Sequence, residues 1–124
     1  DPNNPDWLFE PVAVAQLPVS DKNLAVIQDS LHRVTSASEG TAYAAFKGLD
    51  LAVAGKTGTA ESGRPDPHSW FAGYAPADNP EIAIAAIVEN SGEGSVFAAP
   101  LFRQVLEAYF GIEPTPTPIP TTSP

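Results

Sequence analysis

The sequence predicts an α+β fold in which a three-stranded antiparallel sheet packs against a C-terminal helix and a preceding helix. Three observations carry this prediction. Two segments repeat apolar residues every three or four positions, as one face of a helix does. Between them, short apolar runs are separated by turns rich in glycine and proline, as strands are. Of the 14 prolines, four lie in the first eighteen residues and five in the last eleven, so regular structure is expected between them.

The composition limits the partners of the chain. Its net charge of -9 comes from 15 acidic and 6 basic side chains, which repels nucleic-acid phosphates and leaves no basic patch for an anionic membrane. Cysteine is absent, which excludes disulfides and thiolate metal sites. The only histidines, His32 and His68, lie on separate elements, so neither a metal nor a cofactor is expected. No apolar run reaches the roughly 18 residues of a membrane span, and no membrane contact is expected for this segment.

The N-terminal third is predicted to contain an arm and a helix. Residues 1–19 mix prolines and polar residues with a few apolar ones, which indicates an extended arm. Ser20 or Asp21 then caps a helix that Gly40 ends, and a short helical turn follows over residues 41–46. The apolar positions of the helix step by three, four and three residues and share one face: Leu24, Ile27, Leu31 and Val34.

Three strands are predicted in the middle of the chain. The first runs from Leu51 to Thr59, and glycine and proline make residues 61–69 a loop. Residues 70–75 and 81–88 are the second and third strands, and the turn between them makes an antiparallel hairpin.

The C-terminal third is predicted to contain one helix and a tail. Residues 98–109 follow the spacing of an amphipathic helix, and Gly111 ends it. Residues 113–124 are rich in proline and threonine and cannot bury a core, so a disordered tail is expected. The predicted domain is therefore residues 20–112.

One motif carries specific chemistry. Residues 56–59 read Lys-Thr-Gly-Thr, and Lys-Thr-Gly is one of three motifs of the serine β-lactamase and penicillin-binding fold. The plainer interpretation is an ordinary edge strand with a solvated lysine. The flanking sequence favours the functional motif over an ordinary edge strand. It reads V-A-G-K-T-G-T-A-E from Val53 and H-S-W-F-A-G-Y-A-P from His68.

With these flanks, roughly residues 20–110 resemble the monofunctional class B penicillin-binding proteins. The resemblance implies that residues 20–112 are the C-terminal part of a transpeptidase domain, whose five-stranded sheet takes its other two strands from upstream. It also implies a place at the extracytoplasmic face of the bacterial cell membrane, with the anchor upstream. The third strand would then have an unpaired edge, which predicts dimerisation, aggregation or occupation of that edge by the arm.

The resemblance implies acyl transfer. A serine attacks the peptide bond between two terminal D-alanines of a cell-wall stem peptide, and β-lactams mimic that substrate, so both are expected partners. Lys56 and Thr59 are the implied catalytic residues: Lys56 places a positive charge near the nucleophile, and the Thr59 N–H is one oxyanion-hole donor. The hydroxyls of Thr57 and Thr59 would bind the terminal carboxylate. Gly58 would leave the strand open for substrate, which makes residues 56–59 the implied substrate-binding set.

Two motifs of the same family are missing from the sequence. No serine stands three residues before Lys22, Lys47 or Lys56, and none stands two residues before an asparagine. The nucleophile, its base and one oxyanion donor are therefore expected upstream, and the remainder of the transpeptidase domain is an expected partner. The chain by itself is predicted to be inactive.

Other functions stay open at this stage. A β-lactamase or β-lactam sensor shares Lys-Thr-Gly and differs in upstream residues, and a non-catalytic penicillin-binding-like module is a further alternative. A hydrolase triad of Asp66, His68 and Ser62 or Ser69 is disfavoured, because these residues crowd one proline-rich loop and lack the strand-turn-helix that exposes a nucleophile.

Overall fold

The computed structural model describes residues 12–114. Within them, a three-stranded antiparallel sheet in the order β1-β2-β3 packs against helices. This confirms the α+β fold class. The elements, in chain order, are α1 Asp21–Ser36, α2 Tyr43–Phe46, β1 Ala54–Ala60, β2 His68–Ala75, β3 Ile82–Val88 and α3 Ala98–Phe110.

Helix α1 begins where the sequence predicts and ends earlier than predicted. The Ser20 hydroxyl caps it by accepting a hydrogen bond from the Asn23 N–H at 3.4 Å. The helix ends at Ser36 rather than at Gly40, because Ala37 is extended, with φ -83° and ψ 140°. Gly40 therefore belongs to the turn that leads into α2.

The three strands pair in two antiparallel hairpins. β2 begins at His68 rather than at Trp70, because His68 pairs with Ala60 of β1 and Ser69 pairs with Val88 of β3. Within residues 12–114, β3 has no strand on its outer side, as predicted for this edge.

The arm and the tail are only partly described. Residues 12–19 are exposed and form no strand, while residues 1–11 and 115–124 lie outside the described part of the chain. The boundaries of arm, domain and tail therefore stay predictions, and so do the three consequences predicted for the free edge of β3.

The core lies between the sheet and α3. Phe71 of β2 and Phe102 of α3 are fully buried, and their ring centroids lie 4.7 Å apart in an edge-on arrangement. Phe46 of α2 completes the cluster, 5.3 Å from Phe71 and 6.0 Å from Phe102. Tilted and edge-on ring pairs are favourable because they bring ring edges against ring faces. These three rings join the sheet, α2 and α3 into one unit.

Helix α3 takes its N-terminal cap from β2. Phe97, at the N-cap position, makes no capping side-chain bond. The buried hydroxyl of Ser69 instead accepts a hydrogen bond from the Ala98 N–H at 3.0 Å and donates one to the Glu93 carbonyl at 3.0 Å. Gly111 ends the helix in the left-handed conformation, at φ 65°, as the sequence predicts.

A buried arginine, paired with a glutamate of the same helix, joins α3 to α2. Arg103 Nε donates to Glu107 Oε1 at 2.7 Å, and the two side chains are 3% and 1% exposed. The same guanidinium donates to the carbonyls of Ala45 at 3.0 Å and Lys47 at 3.1 Å. A helix end leaves its last carbonyls without intrahelical donors, so the arginine satisfies groups that the short α2 cannot.

Apolar side chains are exposed at two places within the described residues. Trp70 and Ile87 are neighbours across β2 and β3 on the sheet face opposite α3, and they are 38% and 42% exposed. Ile27, on the predicted apolar face of α1, is 48% exposed. Exposed neighbouring apolar side chains of this kind are typical of surfaces that pack against a further part of a protein.

Candidate active site

The Lys-Thr-Gly-Thr motif lies in β1, at an edge of the sheet. All four residues, 56–59, belong to the strand, as the sequence predicts. Among residues 12–114, the only strand that pairs with β1 is β2, so the other edge of β1 carries no strand. The motif is thus placed where an extended peptide can approach a strand.

The backbone direction along β1 follows from two hydrogen bonds just before the strand. The Ala52 carbonyl accepts from the Ala77 N–H at 2.8 Å, on the β2 side. The Val53 carbonyl accepts from a hydroxyl of α1 at 2.6 Å, on the opposite side. Successive residues of a strand direct their backbone groups to opposite edges. Thr57 and Thr59 therefore direct their N–H and C=O groups away from β2, toward the free edge.

The side chains of the motif alternate between the two faces of the sheet. A Cβ on Gly58 would lie 3.2 Å from the Trp70 Cβ, so Gly58 and Lys56 face the Trp70 side, and Thr57 and Thr59 face the α3 side. Lys56 is exposed, and its Nζ donates to the Thr57 carbonyl at 2.7 Å. Because that carbonyl points to the free edge, the bond holds the ammonium group beside the same edge.

Gly94 supports the strand from the α3 side. A Cβ on Gly94 would collide with the carbonyl oxygens of Gly58 and Trp70. Only glycine lets the turn before α3 lie directly on the β1–β2 pair. The turn before α3 therefore packs directly against the motif on the α3 side.

The structure brings to the motif one residue that sequence reasoning missed. The hydroxyl of Thr41, in the turn between α1 and α2, lies 2.9 Å from the Thr57 hydroxyl. Gly40-Thr41-Ala42 is part of the sequence that resembles the family, but the resemblance gave Thr41 no role and did not link it to Thr57, 16 residues further on.

A depression of about 310 Å³ adjoins the motif, between Lys56 and the end of α1, and Arg33, Glu39 and Thr41 also line it. The pKa of Glu39 lies below its usual range, chiefly because its own backbone N–H donates to the carboxylate, with Ser38 and then Arg33 adding to the effect. A larger cavity of about 340 Å³ lies between α1 and residues 47–53 and includes no residue of the motif. We place the candidate site at the smaller depression because the lysine borders it.

The alternative hydrolase triad is not assembled. Ser69 is buried and binds two backbone groups of the turn before α3. His68 Nδ1 accepts from the Asn90 N–H at 3.0 Å, and the Ser62 hydroxyl donates to the Asn90 side-chain oxygen at 2.9 Å. These side chains tie the loop after β1 to the turn after β3, which is a structural role.

Within residues 12–114, no group of three or more His, Cys, Asp or Glu residues is placed to hold a metal ion. His32 Nδ1 instead bonds to the Val53 carbonyl at 3.0 Å. In the same part of the chain, none of the helices combines the length and the hydropathy that crossing a bilayer needs.

Comparison with known proteins identifies the family. The chain belongs to the family described as penicillin binding protein transpeptidase domain, whose sequence profile matches residues 7–107. Among curated relatives, the peptidoglycan D,D-transpeptidase MrdA of Haemophilus influenzae is 37% identical over an aligned length of 94 residues, and the match covers 64% of this chain and 14% of the relative. The chain thus spans about one seventh of that protein, and the resemblance to class B penicillin-binding proteins is confirmed.

Solved structures of the same family share the fold. PBP2 of Pseudomonas aeruginosa, crystallised in complex with WCK 5153, matches with a TM-score of 0.69 and 36% identity, over 80% of this chain and 23% of that chain. Penicillin-binding protein 2B of Streptococcus pneumoniae matches with a TM-score of 0.72 and 26% identity, over 88% of this chain and 19% of that one. The described sheet and helices are therefore similar to one part of a larger transpeptidase.

Proposed function

We propose that this chain is the C-terminal part of a peptidoglycan D,D-transpeptidase and that its Lys56 to Thr59 strand binds the carboxyl end of the stem peptide and of β-lactams. The observation that supports this best is the arrangement of β1. Within four residues, a free strand edge carries an ammonium group, two hydroxyls and an outward N–H. A peptide that pairs with this edge as an added strand meets all of them at once.

Each residue of the motif has a role in this proposal. Lys56 supplies a positive charge that favours the deprotonated forms of the nucleophile and of the substrate carboxylate. The hydroxyls of Thr57 and Thr59 donate to that carboxylate. The outward N–H of Thr59 donates to the oxyanion that forms when the serine attacks. Gly58 adds no side chain beside Trp70, where a Cβ would already be close at 3.2 Å.

The remainder of the transpeptidase domain is the proposed structural partner. It would supply the serine nucleophile, its base and the second oxyanion donor, since the chain contains neither a Ser-x-x-Lys nor a Ser-x-Asn sequence. The exposed Trp70 and Ile87 support this, because they form an apolar face on the sheet. We further propose that the domain covers residues 20–112, between the arm and the tail, and that the intact protein is held by an upstream anchor at the extracytoplasmic face of the membrane.

Labelling with a fluorescent penicillin tests the proposal. The intact protein is expected to form one covalent adduct per molecule, and unlabelled penicillin given first should block it. The 124-residue chain alone is expected to form none, because it lacks the nucleophile motif. A stoichiometric adduct on the chain alone would contradict the proposal. Rapid release of the label from the intact protein would favour the β-lactamase alternative.

A further inference from the structure

Thr41 contacts the proposed carboxylate site from outside the motif. Its hydroxyl lies 2.9 Å from that of Thr57, and either oxygen can be the donor. We propose that Thr41 is a positioning residue that donates to the Thr57 hydroxyl and so directs the Thr57 proton at the substrate carboxylate. This inference rests on the proposed function of residues 56–59.

The number of protons in the pair decides the direction of the bond. A threonine hydroxyl has one proton to donate and two lone pairs to accept with. If Thr57 donated its proton to Thr41, only the lone pairs of the Thr57 oxygen would face the carboxylate. The Thr57 oxygen and the carboxylate oxygen, both acceptors, would then repel each other. If Thr41 donates, the Thr57 proton is free for the anion, and the two consecutive hydrogen bonds strengthen each other. A bound carboxylate therefore selects Thr41 as the donor.

The turn that carries Thr41 is fixed to the end of α1. The Ala42 N–H donates to the Val34 carbonyl at 3.0 Å, and the Gly40 N–H donates to the Ala37 carbonyl at 2.8 Å. A Cβ on Gly40 would collide with the Val34 carbonyl oxygen, so only glycine lets the turn sit this close to the helix. The backbone on both sides of Thr41 is thus held in place.

Helix α1 is in turn fixed to the residue just before β1. The hydroxyl of Thr35, which is 5% exposed, donates to the Val53 carbonyl at 2.6 Å, and His32 Nδ1 bonds to the same carbonyl at 3.0 Å. Val53 lies four residues before Thr57. The helix therefore contacts Val53, just before β1, and the turn at its end contacts the motif through Thr41, which fixes the Thr41 hydroxyl relative to the strand.

Acylation kinetics of the intact protein test the inference. Thr41→Val removes the hydroxyl at nearly constant volume, and Thr41→Ser keeps it. Stopped-flow measurements with a fluorescent penicillin separate the binding constant from the acylation rate at saturation. Because one hydrogen bond is lost, Thr41→Val should weaken binding about fivefold with little change in the acylation rate at saturation. Thr41→Ser should behave like the unmodified protein.

Two comparisons separate positioning from a general loss of structure. A penicillin methyl ester has no carboxylate, so Thr41→Val should leave its binding unchanged. In a protein that already carries Thr57→Val, Thr41→Val should have no further effect. If Thr41→Val weakened the binding of the acid and of the ester equally, or of neither, the inference about Thr41 would be overturned while the proposed function would stand. If the unmodified protein is not acylated by any penicillin, the proposed function fails and the inference fails with it.

Discussion

Replacing Lys56 by alanine in the intact protein is expected to lower the rate of acylation by a β-lactam about 10²–10³-fold, the usual effect of removing one group that stabilises charge at the reacting centre. The ammonium group is held beside the free edge of β1 by its bond to the Thr57 carbonyl at 2.7 Å. No other lysine or arginine belongs to the motif. Second-order acylation rates with a fluorescent penicillin measure the effect.

The matched control for this prediction is Lys22→Ala. Lys22 is an exposed lysine in the first turn of α1, thirteen helix positions, about 20 Å, before Thr35, whose hydroxyl donates to the Val53 carbonyl just before β1. The two variants lose the same charge, so any long-range effect of net charge appears in both. A Lys56→Ala protein that is acylated as fast as the Lys22→Ala protein would contradict the role given to Lys56.

The largest expected effect on stability is that of Arg103→Ala. The free energy of unfolding should fall by about 3–5 kcal/mol, because the Glu107 carboxylate stays buried without the arginine. The carbonyls of Ala45 and Lys47 would also lose their donor. Urea denaturation followed by tryptophan fluorescence measures the change.

Two further variants make the stability prediction specific. Arg33 forms an ion pair with Glu39 on the surface, at 3.4 Å and with both side chains more than half exposed, so Arg33→Ala should have no measurable effect. Replacing both Arg103 and Glu107 by methionine removes the buried charges together and should cost less than Arg103→Ala alone. A loss for Arg103→Ala no larger than that for Arg33→Ala would show that the buried Arg103 does not hold α2 to α3.

The elements of the fold could be predicted because their signals are local. The apolar spacing of α1 and α3, the strand runs and the turn residues each act over a few positions, and the structure has each element. Boundaries were wrong at the end of α1 and at the starts of α2, β1 and β2; β1, for example, begins at Ala54 rather than at Leu51. Tertiary contacts decide the end of α1 and the start of β2. Helix α1 ends at Ser36 because Ala37 is extended, and this lets the turn with Gly40 pack against the end of the helix. Strand β2 begins at His68 because its first two residues, although polar, pair with the adjacent strands, His68 with β1 and Ser69 with β3.

The ion pair of α3 shows a limit of sequence reasoning. Arg103 and Glu107 stand four residues apart, a spacing that on most helices indicates an exposed pair on the surface. The pair is buried here because the arginine reaches the Ala45 carbonyl, 58 residues earlier in the chain. Nothing in the local sequence indicates that contact.

The candidate site was likewise predicted in part from the sequence, and the rest became visible only in the structure. The motif could be found from the sequence because Lys56 to Thr59 and their flanks form a pattern. The outward direction of the Thr59 N–H was inferred from the hydrogen bonds of the Ala52 and Val53 carbonyls, and only the structure shows those bonds. The contact between Thr41 and Thr57 could not be predicted, because it depends on the path of the backbone in the turn after α1.

A crystal structure of the intact protein acylated by a penicillin tests the central claim most directly. The account predicts that the acyl carbonyl oxygen lies about 2.7–3.1 Å from the Thr59 backbone nitrogen, the distance of an oxyanion-hole donor. It also predicts that the carboxylate of the penicillin accepts a hydrogen bond from Thr57 or Thr59. An acyl group whose carbonyl oxygen points away from β1, with its carboxylate bound elsewhere, would contradict the account.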